Sequence, residues 1–345
     1  MDVSTMLMLS DFDYHLPDEL IAQAPLADRS ASRMLVVDRA SGRLEDRSFT
    51  DLPNYLRPGD CLALNNTRVF AARLFGAKPG YERQVEIFLL QPQSEDRKFW
   101  TALVRPGRHL HEGTRVNISA GLRAQILETR IRGERLIQLE CDGDLDAELN
   151  AAGHVPLPPY IHRQDEATDR ERYQTVFAET PGSVAAPTAG LHFTPEVLAA
   201  CQAAGADIAK LTLHIGLGTF QPLQNPEVEG NRLHTESFSI SEETAAKLVA
   251  AKRRIAVGTT AVRTLETVAR RGGLIAQQGD TDIFIYPGHQ FLAVDAMLTN
   301  FHLPKSSLLL LVAAFAGRDL ILRAYQHAAD ERYRFFSYGD CMLIL

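Results

Sequence analysis

Between residues 67 and 150 the sequence changes rhythm, and that change constrains the fold more than any other feature. Six short runs follow one another there: VFAARLFG, QVEIFLLQ, KFWTALVR, TRVNIS, RAQILETR and RLIQLEC, separated by Gly, Pro, Asn and charged pairs. Successive side chains of a strand point to opposite faces, so each run can bury one face and wet the other. Six of them at close spacing predict a small β barrel or sandwich. On either side the texture is different, with strand-like and helix-like stretches in alternation. SRMLVVDR (32–39) and CLALNN (61–66) read as strands, and LPDELIAQ (16–23) as a helix start. TPEVLAACQAAGA (194–206) reads as a helix with Thr194 at its N-cap and Pro195 in its first turn. DIAKLTLHI, RIAVGTT and DIFIYP read as strands, and SEETAAKLVAAKR and AVRTLETVARR as helices. AMLTNFHLPKSSLLLLVAAFAG joins a strand, a turn and a buried helix. The expectation is an α/β main domain, a mixed or barrel-like sheet with helices packed around it, formed by 1–66 and 151–345. A small β-barrel domain is inserted at 67–150. GHVPLPPYIHR (153–163) is a Pro-rich connector between the two.

The chain of 345 residues, 45% hydrophobic and 23% charged, has the composition of a soluble globular protein. Its most apolar run, SSLLLLVAAFAG (306–317), falls short of the ~20 residues needed to cross a bilayer. No basic segment followed by an apolar one opens the sequence, so no secretory signal is read and a cytoplasmic protein is expected. The four cysteines are scattered without a Cys-x-x-Cys pair, which supports neither a zinc site nor a disulfide framework. A net charge of −7 argues against a general nucleic-acid coat. Residues 66–135 nevertheless hold thirteen Lys/Arg against seven Asp/Glu, a local excess of six positive charges. Such a stretch suits either a polyanion such as RNA or the solvated exterior of a β domain.

Several strand ends carry residues suited to a ligand. HIGLGTFQP (214–222) opens like a dinucleotide loop, but that fingerprint needs a glycine two residues after Gly218 and a helix to follow. Gln221 and Pro222 supply neither. What remains is a strand end where Gly216 and Gly218 let backbone approach a ligand, flanked by His214, Thr219 and Phe220. Pro187, Thr188 and Gly190 form a small-residue turn before the helix that Thr194 opens, with His192 and Phe193 between. In IAVGTTAVRTLE (255–266), Thr259 and Thr260 sit where a strand turns directly into a helix, with Arg263 one turn in. Hydroxyls and free helical N–H groups there suit a phosphate or carboxylate. His234 and Glu236 stand two apart on an expected strand, placing them on one face as an acid–base pair, a metal site or a surface pair. Asn65, Thr67 and Arg68 end another strand, and Asn300 and His302 a third.

Together these motifs resemble a known family. DFDYHLPDELIAQ, LNNTRVFAARL, VAAPTAGLHFT, LHIGLGTFQP, HTESF, VGTTAVRTLE, LTNFHLPKSSLLLLVAAFAG and RFFSYGDCMLI are similar to the S-adenosylmethionine:tRNA ribosyltransferase-isomerases of queuosine biosynthesis. The resemblance covers nearly the whole chain in the expected order. It implies a two-domain enzyme that moves the ribosyl part of S-adenosylmethionine onto 7-aminomethyl-7-deazaguanine at the tRNA wobble position. Epoxyqueuosine forms, and adenine and methionine leave. It further implies no metal and no cofactor beyond the co-substrate; a monomer with no membrane association is expected besides.

That chemistry needs a base at C5′, where the sulfonium stabilises a carbanion, and an acid for the departing adenine. The attacking amine must be neutral. Histidines suit such proton transfers, so His192, His214, His234 and His302 are the candidates, with Glu236 as orienter or second base. Thr259, Thr260 and Arg263 are expected to hold the methionine carboxylate, and Gly216, Gly218 and Phe220 to line the adenosine. Arg68 and Arg73 are expected to face tRNA phosphates. Two other classes stay open on the residues alone: a nucleotide-dependent oxidoreductase, and a non-catalytic RNA-binding module supported by the basic segment.

Overall fold

The computed structural model describes residues 6–130, 133–216, 218 and 221–345. A hairpin of β1 (Arg33–Val37) and β2 (Leu44–Ser48) leads through a 3₁₀ turn to β3 (Asp60–Asn65) and the short β4 (Thr67–Val69). Six strands follow: β5 (Arg73–Ala77), β6 (Gln84–Pro92), β7 (Phe99–Arg105), β8 (Arg115–Asn117), β9 (Leu122–Thr129) and β10 (Arg135–Cys141). Helix α1 (Leu145–Ala152), the single turn α2 (Asp169–Arg172) and β11 (Thr180–Ser183) bring the chain back. Then come α3 (Pro195–Ala203), β12 (Asp207–Leu213), β13 (Glu236–Ile240), α4 (Glu242–Ala250), β14 (Arg253–Val257) and α5 (Thr259–Arg270). The chain finishes with β15 (Gln277–Thr281), β16 (Ala296–Asn300), α6 (Ser307–Ala316), α7 (Arg318–Asp330) and β17 (Cys341–Ile344).

Nine strands make one mixed sheet in the order β15-β13-β12-β3-β14-β16-β17-β1-β2. At its centre β12, β3, β14 and β16 are parallel, so their carboxyl ends share one edge. The period of two sorts the strand residues between two cores. Ala256, Met342 and Ile344 pack on one face with α5, α6 and α7, whereas Ile255, Val257 and Leu343 pack on the other with Phe49, Phe193 and Val197. Helix α5 is buried over almost its whole length although seven of its twelve residues are polar, so its burial is costly except where those side chains find partners inside.

The six strands after β4 close into an antiparallel barrel, ordered β10-β7-β6-β5-β8-β9 with β9 pairing back to β10. Alternate residues such as Val85, Ile87, Leu89 and Trp100 fill it with a dry core. Each of the six expected strands contributes one strand of this barrel.

Three expectations are corrected. LPDELIAQ forms only a 3₁₀ turn at Asp18–Leu20, because the Leu20 carbonyl and Ala22 N–H are engaged by the backbone of Phe335. DIFIYP is not a strand. The pairing with β13 uses the more polar Gln277–Thr281 just before it, and Ile285 is buried as core instead. β13 begins at Glu236, so His234 precedes the strand and strand alternation does not relate the two.

Candidate active site

The parallel strand ends are tied together by one side chain. Asn65, the last residue of β3, is buried, and its amide nitrogen donates to the Leu213 carbonyl (3.0 Å) and the Thr260 hydroxyl (3.1 Å). Its amide oxygen accepts from the Leu213 and Thr67 N–H groups, each at 3.1 Å. All four hydrogen-bonding positions of the amide are therefore used. Asn65 sets the spacing of β3, β12 and the first turn of α5.

Helix α5 starts on Gly258, whose φ of +87° is a conformation that side chains disfavour. No side chain caps its first N–H groups and no acidic residue lies in its first turn, so the positive end of the helix is left for a ligand. The N-terminus of α6 lies close by, with Ser306 Oγ accepting the Leu309 N–H (3.2 Å). Both ends open onto one cavity of about 640 Å³, lined by Gly258, Thr259, Thr260, Ser306 and Ser307. Pro187 and Thr188 form another part of its wall, and Asn300 and His302 lie where β16 ends. In an open α/β sheet, the crevice beyond the carboxyl ends of parallel strands is where ligands bind.

The four candidate histidines have different surroundings. His302 lines the cavity, and its Nε2 meets the Thr299 hydroxyl at 3.0 Å. Burial lowers its pKa to about 3, so it is a neutral imidazole. His192 lies behind the wall. The Asn300 amide nitrogen donates to the Phe336 carbonyl (2.8 Å), which turns the Asn300 oxygen toward His192 Nε2 at 3.2 Å. By this assignment His192 carries its proton on Nε2 and accepts from the Ser32 hydroxyl at Nδ1 (2.8 Å). Burial lowers its pKa to about 4. His192 thus braces Asn300 from outside the cavity. His214 bonds Thr67 Oγ1 (2.8 Å) and lies so close to Gly182 that a Cβ there would come within 2.7 Å of the ring. Burial lowers the His214 pKa as well.

His234 pairs with the Gln221 side chain (3.0 Å) and lines a narrow recess with Gly218, Glu236 and Arg263. Ser307 and Leu308 belong to both the recess and the main cavity. Arg263, expected beside Thr259 and Thr260, lines this recess rather than the main cavity. It is buried in an ion pair with Glu236, and its Nε donates to the Ile283 carbonyl (3.3 Å). The second oxygen of Glu236 accepts the Gly216 N–H (2.9 Å). The pair therefore anchors the glycine segment. No group of three or more His, Cys, Asp or Glu converges on a common point among the described residues.

Of the expected binding residues, Pro187, Thr188, Thr259, Thr260 and Asn300 come together with His302. Phe193 is packed between Phe49 and Phe177, and Gly190 lies against Phe177 and Thr175, so both serve the core. Arg68 bonds the Ala178 carbonyl (3.3 Å), and Arg73 pairs with Glu86 (3.0 Å) on the barrel. Thr219 and Phe220 lie outside the described residues. Sequence reasoning missed Tyr160, Phe336 and Ser337, which also line the cavity. The Tyr160 hydroxyl meets Ser337 Oγ at 2.6 Å and its ring lies 4.3 Å from that of Phe336. An aromatic residue inside an otherwise Pro-rich connector was the available signal.

Fold and cavity together define an α/β protein with an inserted barrel and a cavity at the carboxyl edge of its mixed sheet. The family of the queuosine biosynthesis protein matches residues 9–344. The S-adenosylmethionine:tRNA ribosyltransferase-isomerase of Solibacter usitatus is 60% identical, covering 98% of this chain and 99% of that protein. The protein of the same name from Natranaerobius thermophilus is 51% identical over 98% and 99%. The crystal structure of S-adenosylmethionine tRNA ribosyltransferase from Thermotoga maritima is 38% identical, with a TM-score of 0.56, covering 97% of this chain and 100% of that one. The chain belongs to this queuosine biosynthesis family, and the oxidoreductase alternative finds no support.

Proposed function

We infer that the chain is a transferase that moves and isomerises the ribosyl moiety of S-adenosylmethionine onto a tRNA base in queuosine biosynthesis. The acceptor is 7-aminomethyl-7-deazaguanine at the wobble position, and the products are epoxyqueuosine-tRNA, adenine and methionine. The observation that carries this reading is the cavity between two helix N-termini, within the roughly 300–1,000 Å³ of small-molecule sites. It belongs to a chain that matches named relatives over nearly its full length.

The methionine carboxylate sits against the free N–H groups and hydroxyls of Thr259 and Thr260. The apolar and aromatic side of the cavity, with Tyr160 and Phe336, takes the adenosyl group. His302 faces the reacting carbon as the proton acceptor at C5′, since its neutral form is the one that can accept a proton. A low pKa makes it a weak base, so the acidity given to C5′ by the adjacent sulfonium supplies the driving force. Asn300, held by His192, positions the ribosyl group. The Arg263–Glu236 pair keeps the Gly216–Gly218 segment in place. The units 1–66 with 151–345 and 67–150 divide the work, the first carrying the chemistry and the second meeting RNA.

The test is release of free adenine from S-adenosylmethionine, followed by chromatography, with tRNA that carries the deazaguanine and with tRNA that lacks it. Adenine is expected only with the modified tRNA. Its absence in both overturns the reading.

A further inference from the structure

Five of the twelve described Lys and Arg residues in 66–135 are ion-paired in the folded barrel. Arg73 pairs with Glu86, Arg97 with Asp146, Lys98 with Asp96, Arg123 with Asp142 and Arg130 with Glu128. Arg135 is buried against backbone carbonyls. Arg83, Arg105 and Arg108 are different. All three are exposed, none has an ion pair or side-chain hydrogen bond among the described residues, and all three line one groove on the barrel exterior.

The groove follows from strand register. Phe75 of β5 pairs with Glu86 of β6, which pairs with Arg105 of β7, so the three stand in a row across neighbouring strands. Arg83 lies just before β6, and Arg108 sits in the turn after β7. Tyr81 closes one side, its ring 4.8 Å from that of His109. Glu86 also lines the groove, but Arg73 neutralises it (3.0 Å). The floor is therefore three uncompensated guanidinium groups beside two aromatic rings. Guanidinium groups bind phosphate oxygens in a bidentate fashion, and aromatic faces stack on bases.

We propose that this groove binds the sugar–phosphate backbone of the tRNA substrate, away from the nucleotide being modified. The proposal rests on the functional reading above and adds the surface that holds the RNA. The groove is close enough to the cavity for one RNA stem-loop to meet both. Phe75 packs edge-on against His154 at 5.1 Å, and five residues later Pro159 is at the cavity. Fully extended, those five residues cover at most ~18 Å, about five nucleotide steps at ~3.4 Å each.

The experiment measures tRNA binding by fluorescence anisotropy at several salt concentrations for the parent and for the triple variant R83A/R105A/R108A. Arg123→Ala, which removes an arginine paired elsewhere on the barrel, is the control. The triple variant should bind at least tenfold more weakly near 0.15 M salt. Its slope of log K against log salt should fall by about 2 to 3 units, since each lost phosphate contact removes ~0.7–0.9. Its KM for S-adenosylmethionine and its kcat at saturating tRNA should match the parent, which also shows that the variant is folded. The control should bind within twofold of the parent. An unchanged Kd and salt slope in the triple variant overturn the proposal and give the groove to another partner, such as a protein. If the parent binds tRNA but releases no adenine, the functional reading falls while the groove stands.

Discussion

The barrel and the sheet handle polar groups in opposite ways. Inside the barrel, Val85, Ile87, Leu89 and Trp100 form an apolar filling, and the one buried Lys or Arg among its described residues, Arg135, is bonded to backbone carbonyls. The sheet buries polar groups along one edge, with Asn65, Thr259, Thr260, Asn300, His302, Glu236 and Arg263 all nearly inaccessible to solvent. Burying so many polar groups destabilises unless they are satisfied; hydrogen bonds satisfy Asn65, Asn300, His302 and Glu236, whereas Arg263 Nη2 is buried without a hydrogen-bond partner among the described residues. A fold that only needed to persist would resemble the barrel. The difference marks the sheet edge as the place where stability is given up to gather polar groups around a cavity.

Removing one arginine from each region gives the sharpest contrast. Arg263→Ala should destabilise the protein by about 3–5 kcal/mol, because it leaves the Glu236 carboxylate buried without its countercharge. Urea denaturation measures this, and a loss below ~1 kcal/mol would mean that the sheet edge tolerates unpaired charge as a surface does. His302→Gln should keep the fold and lower kcat for adenine release by roughly 100-fold, as expected for loss of a proton acceptor. An unchanged kcat would move the base to another residue and leave His302 as one more satisfied core group.

Acid should act on the sheet and spare the barrel interior. His192 and His302 hold pKa values of about 4 and 3, against 6.5 in an unfolded chain. Above pH 6.5 both states leave these rings neutral. As pH falls below 6.5 the unfolded chain takes up protons that the folded chain refuses, so stability drops with decreasing pH until the folded values are reached. The loss is on the order of 2 kcal/mol per histidine by pH 5. Denaturation midpoints between pH 7 and 5 should show it, and His192→Asn should flatten the slope. The smallest effect belongs to the barrel surface. Arg123→Ala, which breaks a solvent-exposed pair with Asp142, should leave the urea midpoint of unfolding indistinguishable from the parent's.

How much could be read in advance differed between the two regions. The barrel's architecture was plain in its period of two, strand by strand, because a barrel of this size buries every second residue. Its function was not, since thirteen basic residues in the sequence do not reveal which carboxylates they will meet. The sheet was the reverse. Its cavity-lining residues announced themselves as glycines, threonines and histidines at strand ends, and Thr188, Thr259, Thr260, Asn300 and His302 converge on one cavity. Which of them would face inward was illegible. Arg263, one helical turn from Thr259, looks poised for an anion in sequence but turns to Glu236, a partner 27 residues away. Tyr160 and Ser337, 177 residues apart, meet only through the fold.

The bridge between Arg73 and His154 has a consequence for how the molecule comes apart. The backbone groups of these residues bond to each other in both directions, at 3.3 and 2.8 Å, where the chain leaves for the barrel and where it returns. The barrel strands, from Arg73 to Cys141, thus lie between the two partners of one hydrogen-bonded pair, and Phe70 and Val184 add packing to the barrel core. Loosening the barrel opens a loop whose ends stay clasped. The molecule has the makings of two cooperative units joined by a latch, and protection of its amide protons from exchange should divide along that line.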